Sequence, residues 1–388
     1  PRQAGKSTLV QALSKNEFKA DYITFDNITQ MAAASNSPET FLKERERSLI
    51  IDEVQLVPEI FRALKTIVDE TRQKNNSRTK GLFLLTGSAN IMALPKLSYP
   101  LVGRMGVLTL YPFSGAEIVG SNGDFIKRLF EKKFNQDKES HKLTNIMQLA
   151  TFPEISDVSA QERTNWFDGY LTTILQRDVR SLTEISKLSI LPNILRILAN
   201  RAGGLLNDAD IARDAGLNPV TSKSYRTLLQ MLFLNFEVPP WFRNIGKRLV
   251  KSPKGYIIDS LMLCHLLQYD LIELKHKRPE IFGHILENFV ATELMKLISF
   301  ADSKFELFHF RTSDNKEVDF ILEQPNGQIA AIEVKKSDNV NSSDFKGIQA
   351  LQTLTGNDFI CGIVLYLGKD VIPFGKNLFA VPISNLWQ

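Results

Sequence analysis

Near the C-terminal end, four side chains have the types and spacing for metal-assisted chemistry on a phosphodiester: Glu287, Asp319, Glu333 and Lys335. Asp319 and Glu333 stand 14 residues apart, room for a strand, the turn "EQPNGQ" and a second strand. Glu333 and Lys335 flank Val334 in "AAIEVKKS". Alternate residues of a strand share a face, so the acid and the base point the same way. Asp319, Glu333 and the Val334 carbonyl offer hard oxygen ligands suited to Mg²⁺ or Mn²⁺. Glu287, on the helical pattern "GHILENFVATELMKLI" that also carries Glu293, could complete the site through water. Lys335 would position an attacking water and stabilise charge on the phosphate. The alternative is a hairpin with ordinary surface charges.

A second constellation opens the chain. "PRQAGKSTLV" holds Gly5, Lys6 and Ser7, the latter half of a phosphate-binding P-loop, with Thr8 leading into a helix. The loop's first glycine would precede Pro1 and its feeding strand is not in the sequence, so the sequence is expected to be a piece lacking roughly one strand and a short leader. Lys6 would reach the phosphates of ATP, and Ser7 would put its hydroxyl on Mg²⁺. Downstream, "SLIIDEVQ" delivers Asp52 and Glu53 at the end of an apolar strand. Asp52 suits water-mediated Mg²⁺ binding, and Glu53 suits orienting or deprotonating a water. "LFLLTGS" puts Thr86 and Ser88 at another strand end, where they could sense the γ-phosphate.

The elements that must position these residues alternate through residues 1–120. Strands are expected at "DYITFDN", "SLIIDE", "GLFLLTGSAN" and "GVLTLYPF", and helices at "PETFLKERE" and "PEIFRALKTIVDETRQ". That order predicts an α/β domain with a mainly parallel sheet, whose ligands sit at the carboxyl ends of the strands. Residues 121–185 read as a charged helical connector. Residues 186–270 read as a winged helix, three helices and then two strands, with Asn207 as a cap and Gly216 as a stop. On that reading Ser222, Lys223 and Arg226 lie near a DNA groove, and Lys247, Arg248, Lys251 and Lys254 form a basic wing on phosphates. Its alternative is a packing module between domains. Residues 280–388 form the last α/β domain.

Composition sets outer limits. The 388 residues suggest several domains, and 43% apolar with 23% charged residues is ordinary for a globular protein. No apolar run approaches the ~18 residues of a membrane span, and no secretory signal is visible. Two distant cysteines, Cys264 and Cys361, fit a reducing cytoplasm better than a disulfide framework. A formal charge of +4 permits nucleic-acid contact without requiring it.

The P-loop half, "SLIIDE" and "LVGRMGVLTLYPFSGAEI" together resemble a prokaryotic family of AAA-type P-loop ATPases of the additional-strand, catalytic-glutamate class. The resemblance continues through "LENFV", "EVDF" and "IEVKKS", the Asp…Glu-x-Lys arrangement of restriction-endonuclease-like folds. It implies an ATP-binding, ATP-hydrolysing protein with a C-terminal nuclease-like domain that acts on DNA or RNA, or a nucleotide-switched binding protein or scaffold whose nuclease-like domain is inert. It also implies Arg104, or Arg177, as an arginine meeting the phosphates in cis or across a contact in a homo-oligomer.

Overall fold

A computed structural model describes the chain except residues 17, 45–47, 75–80, 89–98, 138–141, 180–187, 245, 247 and 249–250, and except the side chains of 177, 178 and 188. Two compact units are present: Pro1–Tyr111 with Met231–Phe233, and Pro112–Gln230 with Leu234–Gln388.

In the first unit, helix α1 (Lys6–Lys15) precedes β1 (Ala20–Thr24), α2 (Ile28–Asn36), α3 (Pro38–Lys43), β2 (Ser48–Asp52), α4 (Ile60–Lys74) and β3 (Phe83–Leu85). The described strands form one parallel sheet in the order β1-β2-β3, with Thr24 opposite Asp52 and Ile51 opposite Leu85. β2 is central, and its "LIID" run is buried throughout, as parallel strands covered on both faces require. α4 repeats apolar residues at helical spacing, and Ile60, Phe61, Ala63 and Leu64 bury that stripe with Ile23, Leu49 and Ile51.

The strand expected at "GVLTLYPF" does not form: residues 106–113 have no strand assignment, and Leu108 is 92% exposed. Extended chain becomes a strand only when a neighbour takes its N–H and C=O groups, and the described sheet offers this segment none.

The second unit begins with short helices α5 (Gly115–Val119), α6 (Phe125–Glu131) and α7 (Leu143–Leu149), and then α8 (Ala160–Thr173). Helices α9 (Leu191–Asn200), α10 (Asp208–Ala215) and α11 (Pro219–Met231) follow, with strands β4 (Asn235–Val238) and β5 (Lys254–Ile257) pairing antiparallel. Asn207 caps α10 by accepting from Ala209 N–H and Asp210 N–H, and Gly216 stops it at φ 65°. After α12 (Ser260–Leu267) and α13 (Leu271–Lys277) comes α14 (Pro279–Ser299), the longest described helix at 21 residues.

The remaining chain builds a six-stranded mixed sheet from β6 (Glu306–Arg311), β7 (Glu317–Glu323), β8 (Ile329–Val334), β9 (Phe359–Tyr366), β10 (Ile372–Gly375) and β11 (Leu378–Pro382), in the order β10-β11-β9-β8-β7-β6. β8 and β9 are parallel, so a crossover is obligatory, and α15 (Lys346–Thr355) supplies it. α15 comes so close to β7 that a Cβ on Gly347 would overlap the Glu317 carbonyl oxygen; only glycine fits there. α14 packs on β5 and β8, which brings the helix, the small sheet and the large sheet together at one place.

Candidate functional site

The first candidate site lies at the carboxyl end of the parallel sheet. β2 ends on Asp52, 4% exposed, which accepts hydrogen bonds from Tyr22 Oη at 2.8 Å and from Thr86 Oγ1. Backbone bonds from Thr86 N to Ile51 O and from Val54 N to Thr86 O hold the two strand ends together. Glu53 adopts a left-handed conformation, φ 54°, uncommon for a residue with a Cβ and of the kind that collects at functional sites. Gln55 Nε2 donates to Glu53 and, at 3.3 Å, to Ser88 Oγ.

Gly5 precedes α1 at φ 83°, and Lys6, Ser7 and Thr8 form the helix's first turn, where N–H groups point outward for an anion. Burial lowers the Lys6 pKa, and the carboxylates of Glu53 and Asp52 oppose that shift. α1 packs beside β1 and β2, so the fields of Glu53 and Asp52 reach Lys6, whose Nζ donates to the Pro1 carbonyl. Were a magnesium-nucleotide bound here, Lys6 and the helix N–H groups would take its phosphates, and Ser7, with Asp52 through water, would face the metal, because both Asp52 oxygens already accept hydrogen bonds. Arg104 is engaged elsewhere, in a two-pronged ion pair with Asp69 at 2.7 and 2.8 Å. The Arg177 side chain lies outside the described residues.

The second candidate site gathers Glu287 from α14, Asp319 from β7 and Glu333 from β8 around a residue expected elsewhere. Lys254 opens β5 and is 3% exposed; its Nζ bonds Glu317 at 2.9 Å, Glu287 at 3.0 Å and Asp319 at 3.1 Å. Tyr256, two residues on and on the same face of β5, donates from Oη to Glu287 Oε1 at 2.8 Å. The other Asp319 oxygen accepts from Val334 N at 2.9 Å, and Glu333 Oε1 accepts from Lys335 Nζ at 2.8 Å. Burial disfavours charge on Lys254, but Asp319, Glu287 and Glu317 outweigh it and raise its pKa.

A divalent ion held by Asp319, Glu333 and the Val334 carbonyl does not fit this arrangement. The Asp319 and Glu287 oxygens that would face it are bonded to an ammonium, and Glu333 gives one oxygen to Lys335 while its other oxygen is buried without a hydrogen-bond partner. Among the described residues no three of His, Cys, Asp and Glu are grouped so as to hold a metal. Glu293 is completely buried and paired with Lys296, which makes it part of the scaffold.

The basic wing is corrected in the same way. Lys254 is internal. Arg248 is bound to Glu323 and to the Phe242 carbonyl and lies over the Trp241 and Phe308 rings. Ser222 and Arg226 are buried, with Arg226 paired to Asp208 at 2.8 Å and to Glu237, so neither can enter a groove. Lys223 and Lys251 are exposed. Lys247 lies outside the described residues.

Burial first, and the Asp319 charge second, push the Glu287 carboxyl up to about 7 and that of Glu333 up to about 8. Between the usual glutamate value and these values, the folded protein keeps protons that the unfolded chain has released. The stability this lends is full at low pH and is lost as pH rises through 7 to 8. Urea unfolding at pH 5 and pH 8 should therefore show a smaller fall in stability for Glu333→Gln than for the wild type. An equal fall in both would remove Glu333 from this account.

Comparison with known proteins adds to this geometry. Residues 1–119 match an AAA domain. The N-terminal unit is thus an AAA-type P-loop domain of the ATP-binding kind, and its parallel sheet agrees. Residues 140–272 and 282–386 match two domains of unknown function, DUF8612 and DUF4143. Uncharacterized proteins of Mycobacterium tuberculosis and Mycobacterium bovis are each 27% identical over 387 residues, covering 100% of this chain and 79% of the relative. An uncharacterized protein of Haemophilus influenzae is 23% identical over 278 residues, 70% of this chain and 62% of that protein. No described helix is long and apolar enough to cross a membrane.

Proposed function

We propose that the chain hydrolyses ATP at the first site and uses the cycle to control what its C-terminal unit binds. The observation that carries this is the packing of α1, with Gly5 and Lys6 at its start, beside the buried parallel strand that ends on Asp52 and Glu53. Gly5, Lys6, Ser7 and Thr8 would hold the phosphates, Ser7 and Asp52 the Mg²⁺, and Ser88 the γ-phosphate side. Bound ATP supplies the phosphoryl group, and Mg²⁺ neutralises charge on its oxygens. Glu53 orients the attacking water and takes its proton. Arg104 would serve as a finger only after leaving Asp69, for example toward a second copy of the chain.

For the C-terminal unit, the Lys254 ammonium favours binding over cutting. A site in which Glu287, Asp319, Glu333 and Lys335 cleave nucleic acid needs a divalent ion, and the lysine holds the oxygens that would bind it. DNA or RNA remains the partner this reading assigns, with Lys223 and Lys251 as the available cations. Lys6→Ala should reduce ATP turnover by about 10²–10³-fold or more through lost phosphate binding. Turnover that survives the substitution would exclude the site.

A further inference from the structure

We propose that the Lys254 ammonium is the resident cation of the C-terminal carboxylate cluster, and that the cluster accepts a divalent ion only when this lysine is removed. The proposal deepens the binding-not-cutting reading above, but it is decided by metal binding and does not depend on ATP turnover.

Three features of the geometry support it. First, an ammonium has three N–H donors, and Lys254 gives them to three separate carboxylates, Glu287, Glu317 and Asp319, at 2.9 to 3.1 Å. Its bonding capacity is filled, and these separations suit N–H···O bonds; Mg²⁺ requires oxygens at ~2.0–2.1 Å. Second, the lysine is fixed from behind. Gly255 exchanges backbone hydrogen bonds with Gly203 and Gly204, and a Cβ at Gly255 would strike Leu206 at 2.8 Å. β5 is thereby pinned between β4 and the 203–206 segment, so Lys254 and Tyr256 can present only one face to α14. Third, the carboxylates come from two separate elements, α14 and β7, and the lysine from a third. Carboxylates this close, with Asp319 buried and Glu287 and Glu317 half-buried, repel one another unless a cation sits between them. With the lysine in place these carboxylates are not grouped to hold a metal; without it they lose their counter-charge, and a divalent ion would have to draw their oxygens in to the ~2.0–2.1 Å it requires.

The test uses the full chain without nucleotide and Mn²⁺ alone as the probe, in the wild type, Asp319→Asn, Lys254→Met and the Lys254→Met/Asp319→Asn double variant. Binding is read by loss of the free Mn²⁺ electron-spin signal and by the unfolding midpoint. The wild type should bind no Mn²⁺ that Asp319→Asn abolishes, and its midpoint should not move. Lys254→Met should bind one equivalent and rise by roughly 5 °C at a hundredfold excess over its dissociation constant. The double variant should lose that affinity at least tenfold. Should Lys254→Met fail to fold by itself, Mn²⁺ should restore it. Asp319-dependent Mn²⁺ binding by the wild type would overturn the proposal. So would a folded Lys254→Met that binds none, or an unfolded one that Mn²⁺ does not rescue.

Discussion

Glu53→Gln is expected to leave ATP bound and to slow its hydrolysis by about 10²–10⁴-fold, the usual contribution of a positioned general base. The amide has the size of the carboxylate and can keep the hydrogen bond with Gln55, so the strand end should hold its shape. The left-handed backbone at position 53 disfavours both residues alike. What the substitution removes is the ability to accept a proton from water. Lys6, Ser7 and Asp52 are untouched, so nucleotide affinity should change little. Single-turnover phosphate release read beside equilibrium ATP binding separates the two effects. A variant that hydrolyses at the wild-type rate would take Glu53 out of the reaction.

Lys296→Met should destabilise the second unit by about 3–5 kcal/mol, the cost of removing one partner from a buried ion pair. Lys296 is 2% exposed and bonds Glu293 at 3.0 Å, the Phe113 carbonyl at 2.8 Å and the Ala150 carbonyl at 3.3 Å. Glu293 in turn accepts from Gly115 N at 2.7 Å. One turn of α14 thus ties down the start of α5 and the end of α7, segments about 150 residues or more away in sequence. Methionine fills the space but leaves the Glu293 carboxylate and two carbonyls without their cation. Lys296→Met/Glu293→Gln should recover part of the loss, because the stranded charge is gone. Urea unfolding of the singles and the double measures both quantities. A cost under about 1 kcal/mol for Lys296→Met would mean that the pair does not organise the unit.

The parts of both sites that came from local pattern were legible in the sequence. An apolar run ending in Asp52-Glu53, and alternation placing Asp319 and Glu333 on neighbouring strands, depend on strand period alone. The failures depend on partners distant in sequence. "GVLTLYPF" alternates like a strand, but a strand also needs a ladder partner, which no local pattern supplies. Lys254 looked like a wing cation because it follows Lys251 in a basic stretch, although the apolar residues after it, Tyr256 and Ile257, already indicated a buried strand with the lysine on the Tyr256 face. Arg226 carried a similar unread signal. Ser222, Tyr225, Arg226 and Leu229 fall at helical spacing on one side of α11, and that side is the buried one. Which carboxylates would meet Lys254 was beyond reach, since Glu287 and Asp319 lie 33 and 65 residues from it.

The central claim is that the chain's chemistry takes place at Lys6, Asp52 and Glu53 while the C-terminal carboxylates, held by Lys254, do not cut. The most direct measurement follows phosphate release from ATP and the integrity of added single-stranded DNA, duplex DNA and RNA in one reaction with Mg²⁺ or Mn²⁺. The wild type, Lys6→Ala and Asp319→Ala are compared. The account predicts phosphate release by the wild type and by Asp319→Ala, release slower by about 10²–10³-fold or more by Lys6→Ala, and intact nucleic acid throughout. Nucleic acid cut by the wild type and spared by Asp319→Ala would contradict it.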